Sequence, residues 1–196
     1  MTEPKAVAER AEEVLPGLRN WWVDDERIGF RSDSYAVDAP GGAVLIDPLP
    51  LAEELGPVAA IVLTAGTHQR SAWRLRAELA VPVWAPALSK LIDEEPDTRY
   101  EEGDELPGGL AAYFTPGAGT TQHTLLRDRV AFTADLFTVT GGRLRLISER
   151  WAHDIAQARE SAKRILELDF DVLCTGHGGP VADDPKLAIR DALAGS

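Results

Sequence analysis

Four stretches of this sequence carry side chains able to do chemistry, and histidine and aspartate lead among them. The first is IVLTAGTHQRSAW, Ile61 to Trp73, a buried strand opening through a polar turn into a helix; it offers Thr64, His68 and Arg70. The second places His123 in TPGAGTTQHT, the third Asp135 in VAFTADLF, and the fourth His177 in VLCTGHGG. Imidazole nitrogen and carboxylate oxygen suit zinc or iron, and the same pair can move protons without a metal. His177, in a glycine-flanked turn after a buried strand, is expected to aim at a cleft, and Asp135 likewise. His68 has a plainer reading as a polar residue at a helix start, and His123 as a surface or core side chain. His153 in WAHD reads as ordinary, with Asp154 as the N-cap of the helix that follows.

Other chemistries are not signalled. No GxSxG elbow, phosphate-binding glycine loop, GxGxxG or CxxC occurs. Cys174, the only cysteine, allows no internal disulfide and reads as a small buried strand residue. Trp21, Trp22, Trp73 and Trp84 read as packing; Glu149, Arg150 and Asp154 as a solvated face.

The elements that must position these residues come in two similar halves. Short apolar runs (YAVDA, AVLIDP, AAIVLT, VPVWAP) read as strands, and SYAVDAPGGAVLID as a hairpin with glycines at its tip. A helix is expected over Arg70–Ala80, with Trp73, Ala77 and Ala80 on its apolar stripe, then a strand over Val81–Pro86. In the second half strands are expected over Leu110–Pro116, His123–Asp128, Val130–Asp135 and Arg143–Ile147. A helix over Ile155–Leu168 follows, with Ile155, Ala158, Ala162, Ile165 and Leu166 on one face. FDVLCTG is the last strand and Lys186–Ala194 the last helix. The stretch IDEEPDTRYEEGDELPGG reads as a solvated acidic loop holding at most a short strand.

The chain has 196 residues, a formal net charge of −12, 44% hydrophobic and 27% charged residues. That is a soluble composition in a length suited to one domain, taken as 1–196. The acidity argues against nucleic acid as a partner. No apolar run reaches bilayer-spanning length and the N-terminus lacks an apolar signal core, so no membrane partner and a cytoplasmic location are expected.

Together these stretches resemble the metallo-β-lactamase superfamily, on its glyoxalase-II-like branch. SDSYAVDAPGGAVLIDP resembles the opening hairpin, with Asp47 at its end, and IVLTAGTHQRSAW sits where the family has strand–HxHxDH–helix. YFTPGAGTTQHTLL resembles TPGHTxGS, VAFTADLF the strand ending in Gly-Asp, and VLCTGHGGPV the closing GHG; the likeness spans about residues 18–182. It implies an α+β four-layer αβ/βα sandwich: two mixed sheets face to face, helices outside, the site along one edge. It also implies two divalent ions activating a bridging water.

Carried over one by one, the ligand positions fall on Ala65, Thr67, Gln69, Arg70, Ala118, Asp135 and His177, so two of seven keep a ligand. Moving the register of TAGTHQR by one residue puts His68 in the second histidine slot and raises that to three. Thr64, His68 and Arg70 also fit a variant of the family, LT-x-x-x-H-x-R. The expectation is that Arg70 replaces a metal ion by pairing with Asp135, and that Thr64, His68, Arg70, His123, Asp135 and His177 line the pocket. The resemblance therefore implies a protein of this fold with a degraded metal site. No cofactor is expected, and its role would be binding a small anionic molecule or a protein partner. The alternative is an ester, thioester or phosphoester hydrolase. It would use one rebuilt ion (zinc, manganese or iron) on His68, His123, Asp135 and His177, or metal-free acid–base chemistry by His177 and Asp135 with His68 as a further candidate.

Overall fold

The computed structural model describes residues 3–90 and 92–195; Met1, Thr2 and Ser196, at the ends of the expected 1–196 domain, lie outside them. The first sheet runs β1 (Glu12–Leu15), β2 (Leu18–Asp25), β3 (Phe30–Val37), β4 (Ala43–Ile46), β5 (Val58–Val62), β6 (Val83–Pro86), β7 (Thr98–Tyr100), in spatial order β1 to β7. Helix α1 (Ala72–Leu79) connects β5 to β6. β3 and β4 pair antiparallel across the glycine turn, Tyr35 opposite Ile46, whereas β4, β5, β6 and β7 pair in parallel. The second half adds β8 (Glu105–Leu106), β9 (Leu110–Phe114), β10 (His123–Arg127) and β11 (Val130–Phe132). A separate hairpin follows, β12 (Phe137–Thr140) with β13 (Arg143–Leu146), then α2 (Ile155–Ile165), β14 (Val172–Cys174), β15 (Pro180–Val181) and α3 (Pro185–Ala194). The second sheet has the order β15-β14-β11-β10-β9-β8, with β11 and β14 parallel.

Side-chain alternation along the strands assigns the layers. Tyr35, Val37, Val44, Ile46 and Val62 of the first sheet share one buried cluster with Leu110, Ala112, Leu125, Phe132, Val172 and Cys174 of the second, so the sheets face each other. The alternate residues Ala36, Leu45 and Ile61 pack outward with Ala72 of α1. Ala131 and Leu173 pack outward with Ala158, Ala162 and Ile165 of α2 and Ile189 of α3. Helix, sheet, sheet, helices is the expected four-layer order.

The expected apolar face of α2 is the buried one, and Asp154 caps that helix by accepting from the Gln157 amide at 3.0 Å. Of the stripe expected on α1 only Trp73 packs against the core; Ala77 and Ala80 are exposed, and only Ala72 is fully covered. Arg70 adopts φ 43°, so the helix begins at Ala72 rather than Arg70, and the residues it turns inward are Ala72, Trp73 and Leu75. The acidic stretch holds two short strands, and Tyr100 of β7 is fully buried, its hydroxyl donating to the Leu63 carbonyl at 2.7 Å. Cys174 lies buried on β14, as expected. Among the described residues no helix is long and apolar enough to cross a membrane.

Candidate functional site

The parallel strand pairs set the site. β4 ends at Ile46, directly before Asp47; β5 leads into the turn holding Thr64 and His68. β11 leads to Asp135, and β14 to His177. In open α/β sheets, loops beyond the carboxyl ends of parallel strands are where ligand-handling groups collect. Here one such pair in each of two facing sheets brings four loops to one edge. Their backbone is strained: Asp47, Arg70 and Ala134 all have positive φ, at 48°, 43° and 48°. Non-glycine residues hold that conformation only where surrounding contacts enforce it.

His68, Asp135 and His177 meet there. Asp135 Oδ1 lies 3.0 Å from His68 Nε2 and 2.9 Å from His177 Nε2, and these three atoms all fall within 4.8 Å of one another. Each imidazole is fixed through its other nitrogen. His177 Nδ1 lies 2.8 Å from the Arg31 carbonyl, which can only accept, so Nδ1 carries the hydrogen. His68 Nδ1 lies 2.8 Å from Asp47 Oδ2. Asp47 is itself held by the Thr64 amide, 2.8 Å, and the Thr64 hydroxyl, 2.5 Å. Both Nε2 atoms are thereby turned onto one carboxylate oxygen. Three electron-rich atoms this close require positive charge among them, as protons or as one metal ion.

Protons alone can satisfy the cluster. Burial pushes the His68 imidazolium down, but the charges of Asp135 and then Asp47 outweigh it and raise its pKa to about 9. Asp135 has 29% of its side chain exposed. Burial pushes its pKa up, yet the His68 charge and hydrogen bonds from His177 and His68 hold the carboxyl well below its ordinary value.

The expected pocket residues divide. Thr64, His68, Asp135 and His177 come together, with Asp47 behind them. His123 does not join: its Nδ1 lies 3.1 Å from the Thr121 carbonyl, and its ring packs on Tyr100 and Phe114, both at 5.2 Å. Arg70 does not pair with Asp135 either. It is buried beneath the site, its Nη1 donating to the carbonyls of Asp33 and Asp47 and lying 3.4 Å from Ser34 Oγ. The positive φ at Arg70 sends its side chain down into the strand ends instead of across the cleft. The charge facing Asp135 from this turn comes from His68.

Three of the other positions carried over from the family resemblance sit as follows. Ala118 packs with the outer cluster over the second sheet, and Thr67 is exposed. Gln69 donates to the Gly66 carbonyl, while its Oε1 accepts from Trp73 Nε1, 2.7 Å, and the Asp93 amide, 2.6 Å. The start of the acidic stretch is thereby pinned beside the turn.

Sequence reasoning missed an aromatic margin. Phe30 stands edge-on to His177, centroids 4.9 Å apart, and Trp151 stands edge-on to Phe30 at 6.4 Å; both are exposed. The Arg150 guanidinium lies 5.2 Å from the Trp151 ring centroid. Phe30 starts a strand beside a turn and Trp151 lies in a loop, so no periodicity marked them. It also missed Arg31 and Asp33; the only signal was charge in an otherwise buried strand, RSDSY.

A family model described as the metallo-beta-lactamase superfamily matches residues 14–195. Among solved structures, a metallo-beta-lactamase from Pontibacter korlensis is 18% identical with a TM-score of 0.75, over 95% of this chain and 99% of that one. A metallo-beta-lactamase superfamily protein from the archaeon Sulfolobus tokodaii is 20% identical with a TM-score of 0.70, over 84% of this chain and 79% of that one. One from Erythrobacter litoralis is 17% identical with a TM-score of 0.71, over 95% and 93%. At these identities the likeness is one of fold. The sequence matches none of the curated proteins compared with it.

Proposed function

The chain belongs to the metallo-β-lactamase superfamily, and from that premise we propose that it is a hydrolase of esters, thioesters or phosphoesters built on one divalent ion rather than two. The observation that carries this reading is the convergence of His68 Nε2, Asp135 Oδ1 and His177 Nε2, with both Nδ1 atoms anchored elsewhere. Two nitrogens and a carboxylate oxygen form a donor set for zinc, manganese or iron, and anchored Nδ1 atoms are what ligating histidines commonly have. Two ions do not fit this chain, because methyl groups, a hydroxyl, an amide and a buried guanidinium occupy the other family positions. A bound ion would act as a Lewis acid and lower the pKa of a water on it. Asp47 and the Arg31 carbonyl orient the two imidazoles, and Arg70 ties the backbone of Asp33 to that of Asp47 beneath them. Phe30 and Trp151 offer an apolar wall beside His177, with Arg150 adding positive charge at its rim. That wall suits a substrate pairing an apolar group with an anionic one.

A second reading is a metal-free binding protein. It is favoured by the imidazolium of His68, which bridges Asp47 and Asp135 without a metal. Metal content of the purified protein, with assays on generic thioesters and phosphodiesters with and without added zinc or manganese, separates the two. One ion per chain with turnover that needs it supports the hydrolase. No ion at any concentration tried, together with no turnover, sinks it.

A further inference from the structure

We propose that Asp33 is the positioning residue of the His177 loop, setting the angle at which Nε2 meets Asp135; the claim rests on the single-ion reading above. The Asp33 side chain has no exposed surface. Its Oδ2 accepts from the amides of Gly178, 2.8 Å, and Gly179, 3.1 Å. Its Oδ1 accepts from Asn20 Nδ2 at 3.1 Å and from Arg31 Nη2 at 2.6 Å, while Arg31 Nε reaches both oxygens. The Asp33 amide donates to the Gly176 carbonyl at 2.9 Å. With the His177 Nδ1 bond to the Arg31 carbonyl, residues 176 to 179 are each fastened to position 31 or 33 of β3. Strand β3 is thus a template on which the loop is laid, and it comes from the opposite sheet.

Glycine makes that close contact possible. Gly178 and Gly179 have φ of 96° and 95°. A Cβ on Gly178 would run into the Val139 carbonyl, and one on Gly179 would meet Arg31 Nη2 at 2.9 Å. Arg31 in turn lies 4.0 Å over the Trp22 ring, which fixes the guanidinium holding Asp33. Within its own half of the fold the loop is held through carbonyls, His177 and Gly179 accepting from the Thr175 hydroxyl and His177 from the Val139 amide. The two amides pointing at one buried carboxylate add the anchor from the opposite sheet. A hydrogen bond from a backbone amide to a carboxylate is charge-assisted, so the restraint is stiff. Asp33 touches neither Nε2 nor any position a substrate could reach; it acts through the loop.

The test is Asp33→Asn, which keeps the size of the side chain but cannot offer both oxygens as acceptors. Zinc affinity of chelator-stripped protein is measured by titration calorimetry, and the His177 Nδ1–H resonance by NMR. The expected result is zinc binding weaker by roughly 10- to 100-fold, the range seen when supports of metal ligands are altered, with a shifted or lost Nδ1–H signal. Ile189→Ala, in the core under α3, is the control for stability loss alone and should keep wild-type affinity. Wild-type affinity in Asp33→Asn, or an equal loss in Ile189→Ala, overturns the proposal. If the wild type binds no zinc, the single-ion reading fails, and the positioning role is judged on the Nδ1–H signal alone: its persistence unchanged in Asp33→Asn overturns it. Should Asp33→Asn fail to fold, Arg31→Lys removes the fork that holds the carboxylate, and zinc affinity equal to wild type there overturns the proposal too.

Discussion

Replacing His68 with glutamine in chelator-treated protein removes an imidazolium that the site's two carboxylates hold protonated well above its ordinary range. The buried imidazolium lies between Asp47 Oδ2 and Asp135 Oδ1 and keeps its proton up to about pH 9, against 6.5 for a free imidazole. A folded pKa above the unfolded one contributes stability that is fully present below 6.5 and gone above 9. A gap of about 2.5 pH units corresponds to about 3 kcal/mol, more than half of it lost by pH 8. Urea unfolding of wild type and His68→Gln at pH 6, 7, 8, 9 and 10 reads this as the difference between the two proteins. The difference should shrink by about 3 kcal/mol across that span. Cys174, Tyr35 and Tyr100, whose pKa values burial pushes up, also lose stability in alkali, but equally in both proteins. The acid side has the opposite sign. The depressed pKa of Asp135 contributes stability present above 3.8 and lost as pH falls through the folded value. A wild-type-minus-variant difference that is flat from pH 6 to 10, or that grows, refutes the paired imidazolium.

Gly178→Ala should destabilise the protein by at least about 2 kcal/mol, since a positive φ and a collision with the Val139 carbonyl add together; it should also abolish zinc binding, and a variant with wild-type unfolding free energy contradicts the loop geometry. Gln69→Ala leaves the Asp93 amide and Trp73 Nε1 without that acceptor, at about 1–3 kcal/mol. Hydrogen exchange at Asp93 should then speed up, and unchanged exchange would show that Gln69 does not pin the acidic stretch. Trp151→Ala removes an exposed side chain, so melting temperature and ion content should hold, with stability changing by less than about 0.5 kcal/mol. KM for an apolar acyl ester should nonetheless rise about tenfold, in line with roughly 1.4 kcal/mol of lost apolar contact, and an unchanged KM removes the wall from the binding site.

The strands were legible as short apolar β-rich runs and α2 by its helical spacing; the four-layer order was what the family resemblance implied, and the packing of Tyr35, Val37, Val44 and Ile46 into one inner cluster agrees with it. The loops were not legible in the same way. Nothing in the order Gln69, Arg70 says that residue 70 has a left-handed backbone and sends its guanidinium under the strands. With that turn unknown, the charge facing Asp135 was assigned to Arg70, whereas it belongs to His68, two residues earlier. His123 misled for a related reason. It is the first residue of β10, and the strand's register with Phe114 decides which face its ring takes. The support of His177 by Asp33 joins residues 145 or 146 apart across two sheets, and such a pairing leaves no mark in local sequence.

Diffraction from zinc-soaked crystals at the zinc absorption edge tests the central claim most directly, because it locates the ion as well as counting it. A single anomalous peak is predicted between His68 Nε2, Asp135 Oδ1 and His177 Nε2, with the side chains drawn in to bonding distances of about 2.0–2.2 Å. Two peaks, or none within reach of those three atoms, would contradict it.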